Sequence, residues 1–187
     1  MESPSRRLKN LTRDQLDAEQ RAVYDAIVAG PRGGIAGPFL PWLRSPVLAD
    51  RAQKLGEFCR FNSALPKRLS ELAILMTGRF WTSQFEFWAH ARLGRDAGLD
   101  QAIIDALAER RRPAKMQDDE TAIFEFVDEL LQNRCVGDRA YARVIALFGE
   151  RGAVDLVGII GYYCLVSLTL NAFELQVPPG ETPPLKP

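Results

Sequence analysis

From Leu156 to Phe173 the chain is apolar almost without interruption. A stretch of that length can go into the hydrocarbon of a bilayer, which takes roughly 20 apolar residues in a helix. Otherwise it forms a helix buried on all sides. Ser167, Thr169 and Asn171 lie inside it, Asp155 and Glu174 flank it, and no second segment could accompany it across a membrane. The expectation is therefore a helix buried in a core or a subunit interface, in a protein without a membrane partner.

The remaining segments also carry helical signals. Thr12-x-x-Gln15 has the capping-box pattern and opens a periodic stretch to about Ala29. Ser45-Pro46 supplies an N-cap and a first-turn proline for a helix through about Asn62. Pro66 starts another, with Leu69, Leu72, Ala73 and Met76 at spacings of three and four. Thr82 caps a helix to Ala97, closed by Gly98, and Asp100 caps a short one to about Ala108. Further helices are predicted near Asp118–Asn133, Asp138–Phe148 and Gly152–Leu175. Gly30 to Pro41 is rich in Gly and Pro and reads as an irregular loop, and its Gly33–Pro41 part is long enough to act as a lid. No period-two alternation and no repeat is present. The fold class is all-α, with an αα-hairpin from Pro66 to Ala97.

A chain of 187 residues with 47% hydrophobic and 26% charged residues suits one globular domain. Its 24 basic and 24 acidic residues cancel, so it lacks the positive field that nucleic acid requires. Arg110-Arg111-Arg112 is the only local basic run, and beside Pro113 it reads as a solvated loop. Cys59, Cys135 and Cys164 are far apart, which points to reduced thiols in the cytoplasm. One histidine and no clustered cysteines argue against a metal site. The N-terminus has no apolar run of the kind that opens a secretory signal.

That one histidine, His90, is the natural centre for chemistry. Glu86 precedes it by four residues and shares its helical face, while Glu71 lies on the preceding helix, which can fold back antiparallel. Imidazole exchanges protons near neutral pH, and adjacent carboxylates orient it and raise its pKa. From spacing alone, a structural Glu–His pair and a catalytic one are both open. Phe80, Trp81, Phe85, Phe87 and Trp88 crowd the same region and fit either a core or a pocket.

Leu69-Ser70-Glu71-Leu72-Ala73-Ile74-Leu75, followed by Phe85-Glu86-Phe87-Trp88-Ala89-His90, resembles the signature of the carboxymuconolactone decarboxylase family. This family lies within the AhpD-like superfamily. Gly37-Pro38-Phe39, Ser45-Pro46, Gly161-Tyr162-Tyr163, Leu170-Asn171-x-Phe173 and the Pro-Pro-Leu tail extend the likeness from about Pro38 onward. It implies a single AhpD-like helical-bundle domain over 1–187, with an N-terminal extension 1–37 and a proline-rich tail 177–187.

The alkylhydroperoxidase branch carries Glu, then Cys-x-x-Cys, then His. Here Glu71 and His90 occupy the ends, but Ser83 and Glu86 stand at the cysteine positions. Neither side chain can cycle through a disulfide, so thiol peroxidase chemistry is not expected. The thiol-free branch implies decarboxylation of a small carboxylated lactone without a cofactor. In it His90 supplies the proton, and Glu86 and Glu71 hold it. A hydratase or isomerase using the same trio, or an oligomeric binding protein, are the alternatives. An anionic substrate needs cations, for which Arg60, Arg68 and Arg79 are candidates; Ser83 and Asn171 are further candidates for substrate contact. Members of the family assemble as trimers or hexamers, so a homo-oligomer is expected.

Overall fold

The computed structural model describes Ser5 and residues 7–186. Residues 1–4, 6 and 187, parts of the expected extension and tail, lie outside the described residues. The helices in chain order are α1 (Ala18–Ala29), α2 (Phe39–Trp42), α3 (Pro46–Glu57), α4 (Lys67–Phe80), α5 (Gln84–Asp96), α6 (Gln101–Ala108), α7 (Asp118–Asn133) and α8 (Asp138–Ala172). Among the described residues the only β pairing is a single antiparallel bridge between Ser5 and Leu175.

Several helix ends follow the capping chemistry. Asp100 Oδ1 accepts from the Ala102 amide at 2.8 Å to start α6, and Gln117 exchanges bonds with Glu120 to start α7. Two starts differ from expectation. The Thr12/Gln15 pair caps only a three-residue 3₁₀ turn, because Leu16 turns extended and buries its side chain. Asp17 and Gln20 then form a second capping box that starts α1. Thr82 likewise gives up its place as N-cap of α5 to Ser83. Its backbone turns left-handed, at φ 48, and its hydroxyl accepts from Arg79 and Arg110.

The segment predicted as irregular to Pro41 instead closes with α2. There Pro41 is the third of four residues, where its missing N–H costs nothing. Helix α3 does reach Asn62, but its last part, Phe58–Asn62, widens into a π turn. Such turns re-aim side chains and recur at functional sites. The two helices expected around Gly149 run on as α8 across a break at that residue, where φ is 67 and ψ 179, and α8 ends at Ala172.

The helix buried on all sides is α4 rather than α8. Every residue from Leu69 to Arg79 is buried, and Leu72, Ala73, Ile74 and Leu75 expose nothing. Helix α4 packs against α5, α7 and α8. Each fully buried Leu or Ile there contributes roughly 1.5–3 kcal/mol. The apolar part of α8 buries Leu156, Ile159, Ile160, Tyr163, Val166 and Leu170, yet Val154, Val157 and Leu168 on its other side are exposed. By length and composition α8 could cross a membrane, but most of its apolar stretch is covered by the fold.

The chain after α8 runs back over the hairpin. Gln84, in the first turn of α5, brackets the Leu185 backbone: its Oε1 accepts at 2.9 Å and its Nε2 donates at 2.8 Å. Between α1 and α2 the chain is fastened at Gly37, which is left-handed at φ 58 and lies against the Phe85 ring. A Cβ at Gly37 would stand 2.7 Å from Phe85 Cε1. Gly37→Ala is expected to destabilise the protein by about 1–2 kcal/mol through the left-handed backbone alone, with the ring contact adding to it. A shift of the urea midpoint measures this, and an unchanged midpoint would mean that the loop is not anchored on Phe85.

Candidate active site

The hairpin brings the three groups singled out in the sequence into contact. His90 on α5 and Glu71 on α4 face each other, and Nδ1 of the ring stands 2.6 Å from Glu71 Oε2. A carboxylate oxygen can only accept, so Nδ1 carries the proton. On the other side Nε2 lies 3.0 Å from Glu86 Oε1, one helical turn earlier. That contact is an ion pair outside hydrogen-bond alignment, and Glu86 Oε1 is buried with no hydrogen-bond partner. Exposure is 6% for His90, 3% for Glu86 and 1% for Glu71.

Burial by itself lowers the imidazole pKa, since it penalises the charged ring. The opposing fields of Glu71 and then Glu86, with the hydrogen bonding, outweigh it and push His90 up to about 9. The ring is therefore an imidazolium at neutral pH, with one N–H committed to Glu71 and the other not aligned on any acceptor. It is a positioned proton donor. Glu86 Oε1 beside it pairs with the ring by charge and accepts no aligned hydrogen bond.

His90 and Glu86 border a cavity of about 180 Å³. An apolar cavity of ~150 Å³ holds benzene, so this one suits a single small ring. Glu86, His90, Tyr162 and Tyr163 line one part of it, and Arg32, Gly34, Ala36, Pro38 and Phe39 from the Gly/Pro-rich segment line another. That segment thus lies where a lid was expected. The Tyr163 ring meets the imidazole edge-on, 5.0 Å between centroids and 82° between planes. Burial pushes both the Tyr162 and Tyr163 phenols upward, so both stay protonated donors.

The other expected contacts divide. Arg60, on the π turn, lines the cavity. Arg68 does not: it is spent on Asp119 at 2.7 Å and on Glu120. Arg79 also lies away from the cavity, held by the carbonyls of Ala108 at 3.0 Å and Lys186 at 3.1 Å. Asn171 donates to the Trp81 carbonyl at 2.7 Å and ties α8 to the turn between α4 and α5, outside the cavity lining. Ser83 is fully buried at the start of α5; its hydroxyl has no partner and does not line the cavity.

Arg32 was not identified from the sequence. Its only signal there was a cation inside a Gly/Pro segment.

A larger hollow, about 400 Å³, opens near Arg79 and Arg110 to Arg112, but no imidazole faces it. Among the described residues no group of His, Cys, Asp and Glu side chains is arranged to hold a metal. Cys59 is buried near Tyr162, and burial pushes its thiol up to about 11, far from a reactive thiolate.

No family profile matches the chain, and no curated protein matches it by sequence. Its fold does match solved structures. One is an uncharacterised peroxidase-related protein from Ralstonia eutropha described as an alkylhydroperoxidase AhpD core. It superposes with a TM-score of 0.76 over 94% of each chain, at 13% identity. Another is a variant of the debrominase Bmp8 in complex with 2,3,4-tribromopyrrole. There the TM-score is 0.71 over 97% of this chain and 96% of that one, also at 13% identity. The fold is thus the AhpD-like all-α fold.

Because His90 is the single histidine, its titration can be followed without assignment in tag-free protein by NMR. The expected midpoint is about 9, against about 6.5 for an unperturbed histidine. Glu71→Gln should move it down. Since the folded value lies above the unfolded one, the stabilisation is complete below about pH 6.5 and is lost as pH rises through about 9. A midpoint near 6.5 in the wild type would remove the buried imidazolium from the account.

Proposed function

We propose that this protein is a cofactor-independent acid–base enzyme, a carboxy-lyase of the carboxymuconolactone decarboxylase kind acting on a small carboxylated lactone. The observation that carries this reading is the buried imidazolium of His90, held by Glu71 through Nδ1 and bordering a ring-sized cavity. In the reaction, the bond between the ring carbon and its carboxylate breaks and carbon dioxide leaves. The electron pair stays behind as an enolate conjugated with the neighbouring carbonyl. Nε2–H then delivers its proton to that carbon, and water at the cavity restores the imidazolium. Glu71 keeps the ring oriented and supports its charge throughout.

The debrominase of the same fold, complexed with 2,3,4-tribromopyrrole, supports the idea that this architecture can enclose one flat ring. Thiol peroxidase chemistry is outside the reading, because Ser83 and Glu86 stand where that chemistry needs two cysteines. A second reading, isomerisation or hydration, is favoured by one detail. Glu86 Oε1, ion-paired with the imidazolium but accepting no aligned hydrogen bond, puts an acid and a base side by side. A cytoplasmic homo-oligomer, a trimer or hexamer, completes the proposal, and the exposed Val154, Val157 and Leu168 face of α8 suits such a contact.

The test is carbon dioxide release from a panel of carboxylated lactones and β-keto acids. Wild-type release is expected, slowed roughly 10²–10⁴-fold in His90→Ala, with the wild-type rate falling as pH rises through about 9. Double-bond migration without gas release would favour the isomerase instead. Release that survives His90→Ala would remove His90 as the donor.

A further inference from the structure

Resting on the reading of this cavity as the reaction site, we propose that Arg32 and Arg60 form a two-guanidinium anchor for the carboxylate of a small ring acid. Arg32 comes from the Gly/Pro-rich segment between α1 and α2, Arg60 from the π turn after α3, and both line the cavity that His90 borders. Nε and Nη2 of Arg32 and Nε of Arg60 are buried without a hydrogen-bond partner. A buried, unpaired guanidinium N–H is costly, and these arginines differ from Arg68, whose two Nη atoms donate to carboxylates, and from Arg79, whose three nitrogens donate to protein oxygens.

Both cations also lean on one ring. The Arg60 guanidinium carbon lies 5.1 Å from the Phe61 centroid and that of Arg32 lies 6.0 Å from it. Arg32 is pinned further, 4.8 Å from the Phe39 ring. It packs so closely on Gly56 that a Cβ there would stand 2.5 Å from Nη2 and 2.1 Å from the Tyr162 hydroxyl. The guanidinium is thus preorganised beside a phenol, not free to follow solvent.

Charge balance points the same way. The cavity gathers Arg32, Arg60 and the His90 imidazolium against Glu86 and, behind the ring, Glu71. That leaves one excess positive charge, which a carboxylate cancels. Guanidinium forks match carboxylate geometry, and the phenol of Tyr162 adds a neutral donor at the same place. With the acid group held there, the ring of the ligand fills the apolar part of the cavity beneath Phe39 and Phe85.

The test needs no turnover. Furan-2-carboxylate and its neutral counterpart furan-2-carboxamide are titrated into the whole protein, followed by calorimetry and by the single histidine resonance. The carboxylate is expected to bind saturably and about tenfold tighter than the amide. Its affinity should drop roughly 10- to 100-fold in Arg32→Gln and in Arg60→Gln, with part of it retained in Arg32→Lys. Melting curves of the unliganded variants separate loss of the anchor from loss of the fold.

Equal affinity for the two probes, no saturable binding of the carboxylate, or a folded Arg32→Gln that keeps the full preference overturns the anchor. Arginine-dependent binding without carbon dioxide release from any lactone sinks the decarboxylase reading and leaves the anchor standing. Decarboxylation with an unchanged KM in Arg32→Gln does the reverse.

Discussion

The hydrogen bond between Glu71 and His90 is the interaction on which the interior depends. Both groups are ionisable, and both are buried. Removing a charge from water costs several kcal/mol unless a partner of opposite sign and good geometry receives it. Helices α4 and α5 must therefore meet in the one register that puts Nδ1 opposite Oε2. Slipping the pair by one residue would bury the Glu71 carboxylate away from the imidazole, with no answering charge. The apolar residues of α4 supply the driving force for burial, but they would tolerate several registers. The polar contact selects one.

Once that register is set, the rest of the site follows from helical geometry. Glu86 sits a turn before His90, so it shares the face but cannot align fully with Nε2. The same face is covered by Tyr162 and Tyr163 of α8, whose buried phenols meet each other edge-on at 5.2 Å. Two carboxylates next to one imidazolium leave a local excess of negative charge. Arg32 and Arg60, which line the same cavity, more than offset it. The positive groups come from a loop and a π turn, elements that can differ between proteins without disturbing the hairpin.

How much of this was readable in advance depended on the range of the interaction. The i,i+4 spacing of Glu86 and His90, and the place of Glu71 on the helix before, are local facts that survive folding. The helices from α4 to α7 were likewise legible because Pro66, Asp100 and Gly98 punctuate them. Arg79 was misjudged for the opposite reason. Its partners are the Ala108 carbonyl at the end of α6 and the Lys186 carbonyl in the tail, and no pattern near residue 79 foretells either. The place of Arg32 on the cavity is not legible in the sequence, because it comes from the path of a glycine-rich loop, which periodicity does not encode. Hydrophobicity points to α8 as a helix buried in a core or a subunit interface, and within this chain it is mostly buried with one side exposed. Helix α4 is less apolar, but its Ser70, Glu71, Thr77 and Arg79 find internal partners or short side-chain paths that permit burial.

The bracket that Gln84 forms around Leu185 joins the first turn of the histidine-bearing helix to a segment 101 residues later. During synthesis on the ribosome, the hairpin of α4 and α5 is complete long before that segment emerges. Until it does, the growing chain carries the front end of α5, next to Ser83, without that covering. A product interrupted between the hairpin and Leu185 can hold Glu71, Glu86 and His90 and still lack the strap that closes over them.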